Sequence, residues 1–124
     1  MRIDKAQRYI DFWNYDLETD IFFFRDKSQK YHSSIEIRDL VLDIGMDGSP
    51  IGVELLNASK NFGASKLLLN GITSFKSLVT ISKTDIEVTI TVSATFRNAN
   101  VEKVSVSRGI NDMNLQAGQI AMAC

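Results

Sequence analysis

The stretch Ile86-Glu87-Val88-Thr89-Ile90-Thr91-Val92-Ser93-Ala94-Thr95-Phe96 alternates without a break. Ile86, Val88, Ile90, Val92, Ala94 and Phe96 fall on one face of an extended chain. Glu87, Thr89, Thr91, Ser93 and Thr95 fall on the other. Successive strand side chains point to opposite faces, so this is a strand with one side buried and one in water. Upstream, Leu78 to Ser82 carries a similar pattern and leads through the turn Lys83-Thr84-Asp85. Downstream, Asn98-Ala99-Asn100 turns the chain into a third strand over Val101 to Val106. The second half, about 72–109, is predicted to be a three-stranded antiparallel meander.

The first half repeats the theme. Leu40, Leu42 and Ile44 alternate up to Asp47-Gly48, two residues that tolerate positive φ. Ile51, Val53 and Leu55 alternate on the way back, with Pro50 expected in the loop, where its missing N–H breaks no ladder. Phe12 to Tyr15 and Ile21 to Arg25 flank Asp16-Leu17-Glu18-Thr19-Asp20 as another hairpin. Ile3, Ala6, Ile10 and Trp13 also fit a helical stripe. The aromatic content favours strand from about Tyr9.

Helix is expected only in the middle. Asn57 and Ser59 are N-cap types, and Gly63 can close a short helix. Ser65 can cap a second turn over Lys66-Leu67-Leu68-Leu69, ended by Asn70-Gly71. The tail after Gly109 offers one short candidate edge strand at Ile120-Ala121-Met122. The fold class is therefore α+β and mostly β: two antiparallel meanders joined by short helices, forming a sandwich or a strongly curved sheet. No Pro-rich linker or charge block divides residues 1–124, which are taken as a single domain.

Composition narrows the function. The chain has 124 residues, 44% hydrophobic and 23% charged, with Lys+Arg 14 against Asp+Glu 15. The pI is near 5.8 and the mean hydropathy −0.04. A dedicated nucleic-acid or anionic-membrane binder would carry a basic stripe, so neither partner is expected. One cysteine, Cys124, rules out an intrachain disulfide and points to the cytoplasm. Met1-Arg2-Ile3-Asp4-Lys5 contains no apolar signal segment, and the longest uncharged run, Met113 to Cys124, is too short and polar to span a bilayer.

Tyr15-Asp16 with Asp20, the aromatic strand Phe22-Phe23-Phe24, Val41-Leu42-Asp43, Asp47-Gly48, Gly52-Val53-Glu54 and Asn57-Ala58-Ser59 stand in order from about residue 12 to 59. On these residues the chain resembles domain-of-unknown-function family 2283, a small prokaryotic family. Thr19 departs from the small residue that precedes Asp20 in that family. The resemblance implies a small antiparallel β module, with the family-like half at about 12–62, and implies no established activity.

Candidate chemistry is thin. Asp16, Glu18 and Asp20 alternate like the start of a calcium loop, but Ile21 and Lys27 stand where Gly and Glu are needed. They are expected to cap a hairpin. Asp43 and Asp47, with Asp16 or Asp20, would divide acid and base roles only inside a cleft; they are expected to be solvated at a turn and a strand edge. His32 beside Ser33 and Ser34 lacks an orienting third group, and is expected to be a loop histidine. Cys124 is expected to be an exposed tail thiol. No catalytic residue, cofactor or metal site is assigned.

The strand Ile21-Phe22-Phe23-Phe24 is apolar on both faces. Such a strand is covered by a layer on each side, stacks bases, or buries one face in a partner. Trp13, Phe22 and Phe24 are therefore candidate interface residues. The expected function is a non-enzymatic protein-interaction or self-association module. The alternative is a small-molecule or ion-binding domain with its pocket between sheet and helices.

Overall fold

In the computed structural model, which describes residues 5–124, the alternating segments become ten strands in two facing sheets. Met1–Asp4, including Ile3 of the helical alternative, lie outside the described residues. The strands are β1 (Lys5–Tyr9), β2 (Phe12–Asp16), β3 (Ile21–Arg25), β4 (Tyr31–Ile37), β5 (Leu40–Gly45), β6 (Pro50–Leu55), β7 (Ile72–Ile81), β8 (Asp85–Phe96), β9 (Ala99–Ile110) and β10 (Gly118–Ala123). Two short helices, α1 (Ala58–Phe62) and α2 (Lys66–Leu69), join β6 to β7. One sheet has the order β1-β10-β7-β8-β9 and the other β2-β3-β6-β5-β4. The class is the mostly-β α+β fold that the alternation predicts.

The inner faces form one core. Ile86, Val88, Ile90 and Val92 of β8 and Leu42, Val53 and Leu55 of β5 and β6 are all fully buried. Phe75 of β7 joins the layers, with its ring 4.6 Å from Phe24, 5.5 Å from Phe22 and 5.8 Å from Trp13. These separations are in the favourable range for aromatic pairs. Both halves of the sequence thus share one apolar interior.

Several local expectations change. The N-terminal segment is extended, as its aromatic residues suggest, but it forms two strands, and β1 joins the second-half sheet. Pro50 opens β6 rather than lying in the loop, and its carbonyl accepts from Arg8 Nε at 3.0 Å. Ile120-Ala121-Met122 is internal rather than an edge, because β10 lies between β1 and β7. It pairs parallel with β1, from Lys5↔Gln119 to Tyr9↔Ala123. β4, which carries His32, has no counterpart in the sequence reading. Its pairing shifts between Tyr31 and Ser33, and the bulge breaks the two-residue rhythm.

The helix caps are half as expected. Ser65 accepts from Leu68 N at 3.1 Å, and Gly63 closes α1 at φ 62. Asn57 occupies the α1 N-cap in a left-handed conformation without a side-chain bond. The cap comes instead from Asp20, whose carboxylate accepts from Ser59 N at 3.0 Å and Ser59 Oγ at 2.6 Å. Among the described residues no helix is long and apolar enough to cross a membrane.

Candidate functional site

The doubly apolar strand resolves into two environments. Phe22 and Phe24 are 0% and 1% exposed and Trp13 is half-buried against Phe22 and Phe75. The interface role expected for Phe22 and Phe24 is corrected, because the second sheet buries them within the same chain; Trp13 packs against Phe22 and Phe75 and keeps part of its surface exposed. Phe23 points the other way, on the outer face, where Phe12 packs edge-on at 5.3 Å and Lys27 Nζ lies 4.4 Å above the Phe12 ring.

Beside Phe23 the outer face holds a buried charge. Register places Phe12, Arg25, Gly52, Asp43 and Ser34 in one row across five strands. Arg25 Nη2 donates to Asp43 Oδ2 at 3.0 Å and Ser34 Oγ donates to Asp43 Oδ1 at 2.9 Å. Tyr31 Oη bonds Ser34 Oγ at 2.7 Å, and the guanidinium lies 5.3 Å from the Tyr31 ring centre. Asp43 is 3% exposed, so the expectation of a solvated carboxylate is corrected. Gly52 separates its two partners in the row. A Cβ there would meet Phe24 O at 2.6 Å and Arg25 Cβ at 3.1 Å, so only glycine leaves the arginine its path. A shallow pocket of about 250 Å³ lies here, lined by Phe12, Phe23, Arg25, Asp43 and Glu54 among others.

The remaining acids hold turns together rather than converging. Asp16 Oδ1 accepts from Glu18 N at 3.0 Å. Asp20 accepts from Tyr15 Oη at 2.7 Å and from Ser59, tying the first hairpin to α1. Burial works to raise the Asp20 pKa, but the bonds from Ser59 and Tyr15 outweigh it and hold it below 3.8. The Tyr15 phenol is pushed well above its ordinary value, first by burial and then by Asp20. Between the sheets, Arg8 of β1 donates to Asp26 Oδ2 at 3.3 Å and to Ser49 Oγ at 2.6 Å. Asp47 accepts from Ser49 N and Oγ at 3.0 and 2.7 Å. Those bonds lower the Asp47 pKa. For Asp26, burial opposes the shift, and bonds from Ser28 with the Arg8 charge prevail, so it too is lowered.

Asp43 and Asp47 share no partner, and neither meets Asp16 or Asp20. His32 stands on β4 rather than in a loop. Its Nδ1 reaches Ser33 Oγ at 3.1 Å, whereas Ser34 Oγ bonds Asp43 and Tyr31. Cys124 is half-buried rather than frayed, and its Sγ accepts from Phe75 N at 3.3 Å. Among the described residues no three metal-ligating side chains converge. Arg8, Arg25 and Gly52 are the organising residues that sequence reasoning missed.

The sheet edges complete the surface. β2 is five residues long, β4 is bulged, and β1 is described from Lys5 to Tyr9. β9 is different: twelve residues, no proline, and twelve unbroken pairs with β8. Among the described residues its backbone bonds to β8 and to no other element. Val104, Val106 and Ile110 are 52%, 53% and 73% exposed. A pocket of about 430 Å³ lies beside the C-terminal part of β9, lined by Val106, Ser107 and Arg108, the β4–β5 turn residues Arg38 and Asp39, and Asn61 of α1.

Residues 13–59 match the family described as "Protein of unknown function (DUF2283)". A protein of Methanosarcina mazei, provisionally named a hypoxanthine phosphoribosyltransferase, is 36% identical over 103 residues, 83% of this chain and 84% of its own length. The chain belongs to the DUF2283 family. An uncharacterised protein of Methanocaldococcus jannaschii is 29% identical over 110 residues, 88% of this chain and 95% of its own. No solved structure matches. The DUF2283 segment corresponds to the β2-β3-β6-β5-β4 sheet together with Ser59, the residue that Asp20 binds.

Proposed function

We propose that this DUF2283 protein is a non-enzymatic association module that binds by strand addition at the edge of β9. The observation that carries the reading is the edge itself. Native sheets usually blunt an exposed edge by shortness, proline, a bulge or charged side chains, because unpaired N–H and C=O groups recruit another strand. β2 is short and β4 is bulged; β9 has twelve residues without proline or register shift, and Lys103 is its one inward-facing charge. The neighbouring pocket leaves room beside Val106 and Arg108, and pairing through such an edge is a recurrent mode of protein recognition.

The acids support the same reading. Asp20, Asp26, Asp43 and Asp47 each accept hydrogen bonds that fix a turn or join two elements. The name of the Methanosarcina relative implies transfer of a phosphoribosyl group, which calls for a cradle for a diphosphate. Among the described residues the two helices are only five and four residues long. A single cysteine suits the reducing cytoplasm.

Hydrogen exchange of the β9 amides across a range of protein concentrations, with size followed by sedimentation, tests the proposal. Protection of β9 should rise as the protein associates. A monomer throughout, with β9 exchange independent of concentration, overturns it.

A further inference from the structure

Resting on the proposal that β9 is the docking edge, we infer that its partner is a second copy of the same strand, antiparallel about a two-fold axis at Ser105. Glu102, Val104, Val106 and Arg108 share the outer face of the sheet, where Ser93, Thr91, Thr89 and Glu87 face them on β8. All four are exposed, Arg108 by 75% at its side chain. When β9 pairs antiparallel with its copy about Ser105, Glu102 stands opposite the copy's Arg108 and Val104 opposite its Val106. Symmetry repeats both pairs, giving two opposite-charge and two apolar cross-strand pairs, the combinations that stabilise antiparallel strands. On the inner face Ser105 meets Ser105 and Lys103 meets Ser107, so no large side chains collide.

The register is selective. If the partner slips by two residues in one direction, Val104 pairs with itself, but Glu102 faces Val106 and Arg108 faces Asn100. In the other direction, Val106 pairs with itself, Glu102 faces Ile110 and Arg108 faces Val104. Only the register about Ser105 satisfies both charges and both valines. An isologous contact of this kind closes at two copies and yields one continuous sheet across the pair. Arg108 would then lie between Glu102 of the copy and Glu87 of its own chain, to which it already donates at 2.7 Å.

The test is a charge exchange between two variants. Glu102→Arg places arginine opposite arginine twice, and Arg108→Glu places glutamate opposite glutamate twice. Each variant alone should self-associate about tenfold more weakly than the parent. Mixed, they should form a heterodimer, because both arginines of the first variant then face glutamates of the second. Native mass spectrometry resolves the three dimers by mass, and circular dichroism of each variant checks its fold. A dimer that neither variant weakens, or a mixture without preference for the heterodimer, overturns this register and leaves association at β9 standing. A parent that is monomeric at every concentration overturns both.

Discussion

Arg25 reaches Asp43 across Gly52, closing a 3.0 Å ion pair on the outer face of the β2-β3-β6-β5-β4 sheet. The acid is 5% exposed at its side chain and the arginine 36%, so water screens one partner and hardly touches the other. Removing the cation strands a buried carboxylate, whereas removing both charges strands nothing. Arg25→Met should cost about 1–2 kcal/mol, allowing for the solvent around the guanidinium. Arg25→Met with Asp43→Leu should recover most of it. Urea denaturation of the two singles and the double settles the coupling; strictly additive losses would contradict this account.

Gly52 should resist even alanine. The added Cβ would meet the Phe24 carbonyl at 2.6 Å, and the backbone of a neighbouring strand cannot step aside as a side chain can. Gly52→Ala should destabilise by about 2–3 kcal/mol. Melting temperature reads it directly, and an unchanged value would mean that β3 and β6 separate freely.

The two faces of β3 should differ sharply. Phe24→Ala empties a site in the shared core beside Phe75 and should cost about 3–5 kcal/mol. Phe23→Ala removes a half-exposed ring from the outer face and should cost about 1 kcal/mol. Equal losses in chemical denaturation would reverse the assignment of inner and outer faces.

Acid should loosen the fold through three carboxylates. Asp20, Asp26 and Asp47 have pKa values held below 3.8, while the unfolded chain titrates near ~3.9. A depressed folded value means that the stabilisation is complete above the unfolded value and is lost as pH falls through the folded one. Stability should therefore hold from neutrality down to about pH 4 and decline below it. Asp26→Asn should lower stability at neutral pH and shrink the acid decline; an identical pH profile would exclude Asp26 as a contributor.

Much of this fold was legible because alternation is a local signal. The Ile86–Phe96 pattern marks β8, and its buried face is the one the pattern names. Ser65 and Gly63 mark helix ends by chemistry that acts within a few residues. What escaped has a different range or rhythm. β4 escaped because its bulge interrupts the period at His32, and β1 because its partner lies at the other end of the chain. The inner and outer sides of Ile21–Phe24 carry the same kind of residue, so only the second sheet decides between them. Asp43 looked like a turn acid because its cation and hydroxyl partners come from β3 and β4, elements that sequence adjacency does not connect.

The parallel seam between β1 and β10 has a consequence for how the chain reaches this state. Lys5 pairs with Gln119, so the contact joins residues from opposite ends of the sequence, and closing so long a loop carries a high entropic cost. Pairings of that separation slow folding more than local hairpins do. β7, β8 and β9 can zip as neighbours, but β1 has no strand to pair with until β10 is in place. During synthesis β1 therefore waits for β10, and the β2-β3-β6-β5-β4 layer emerges from the ribosome with Phe22 and Phe24 uncovered. The interval before β7–β10 arrive is the period in which this chain is most open to aggregation.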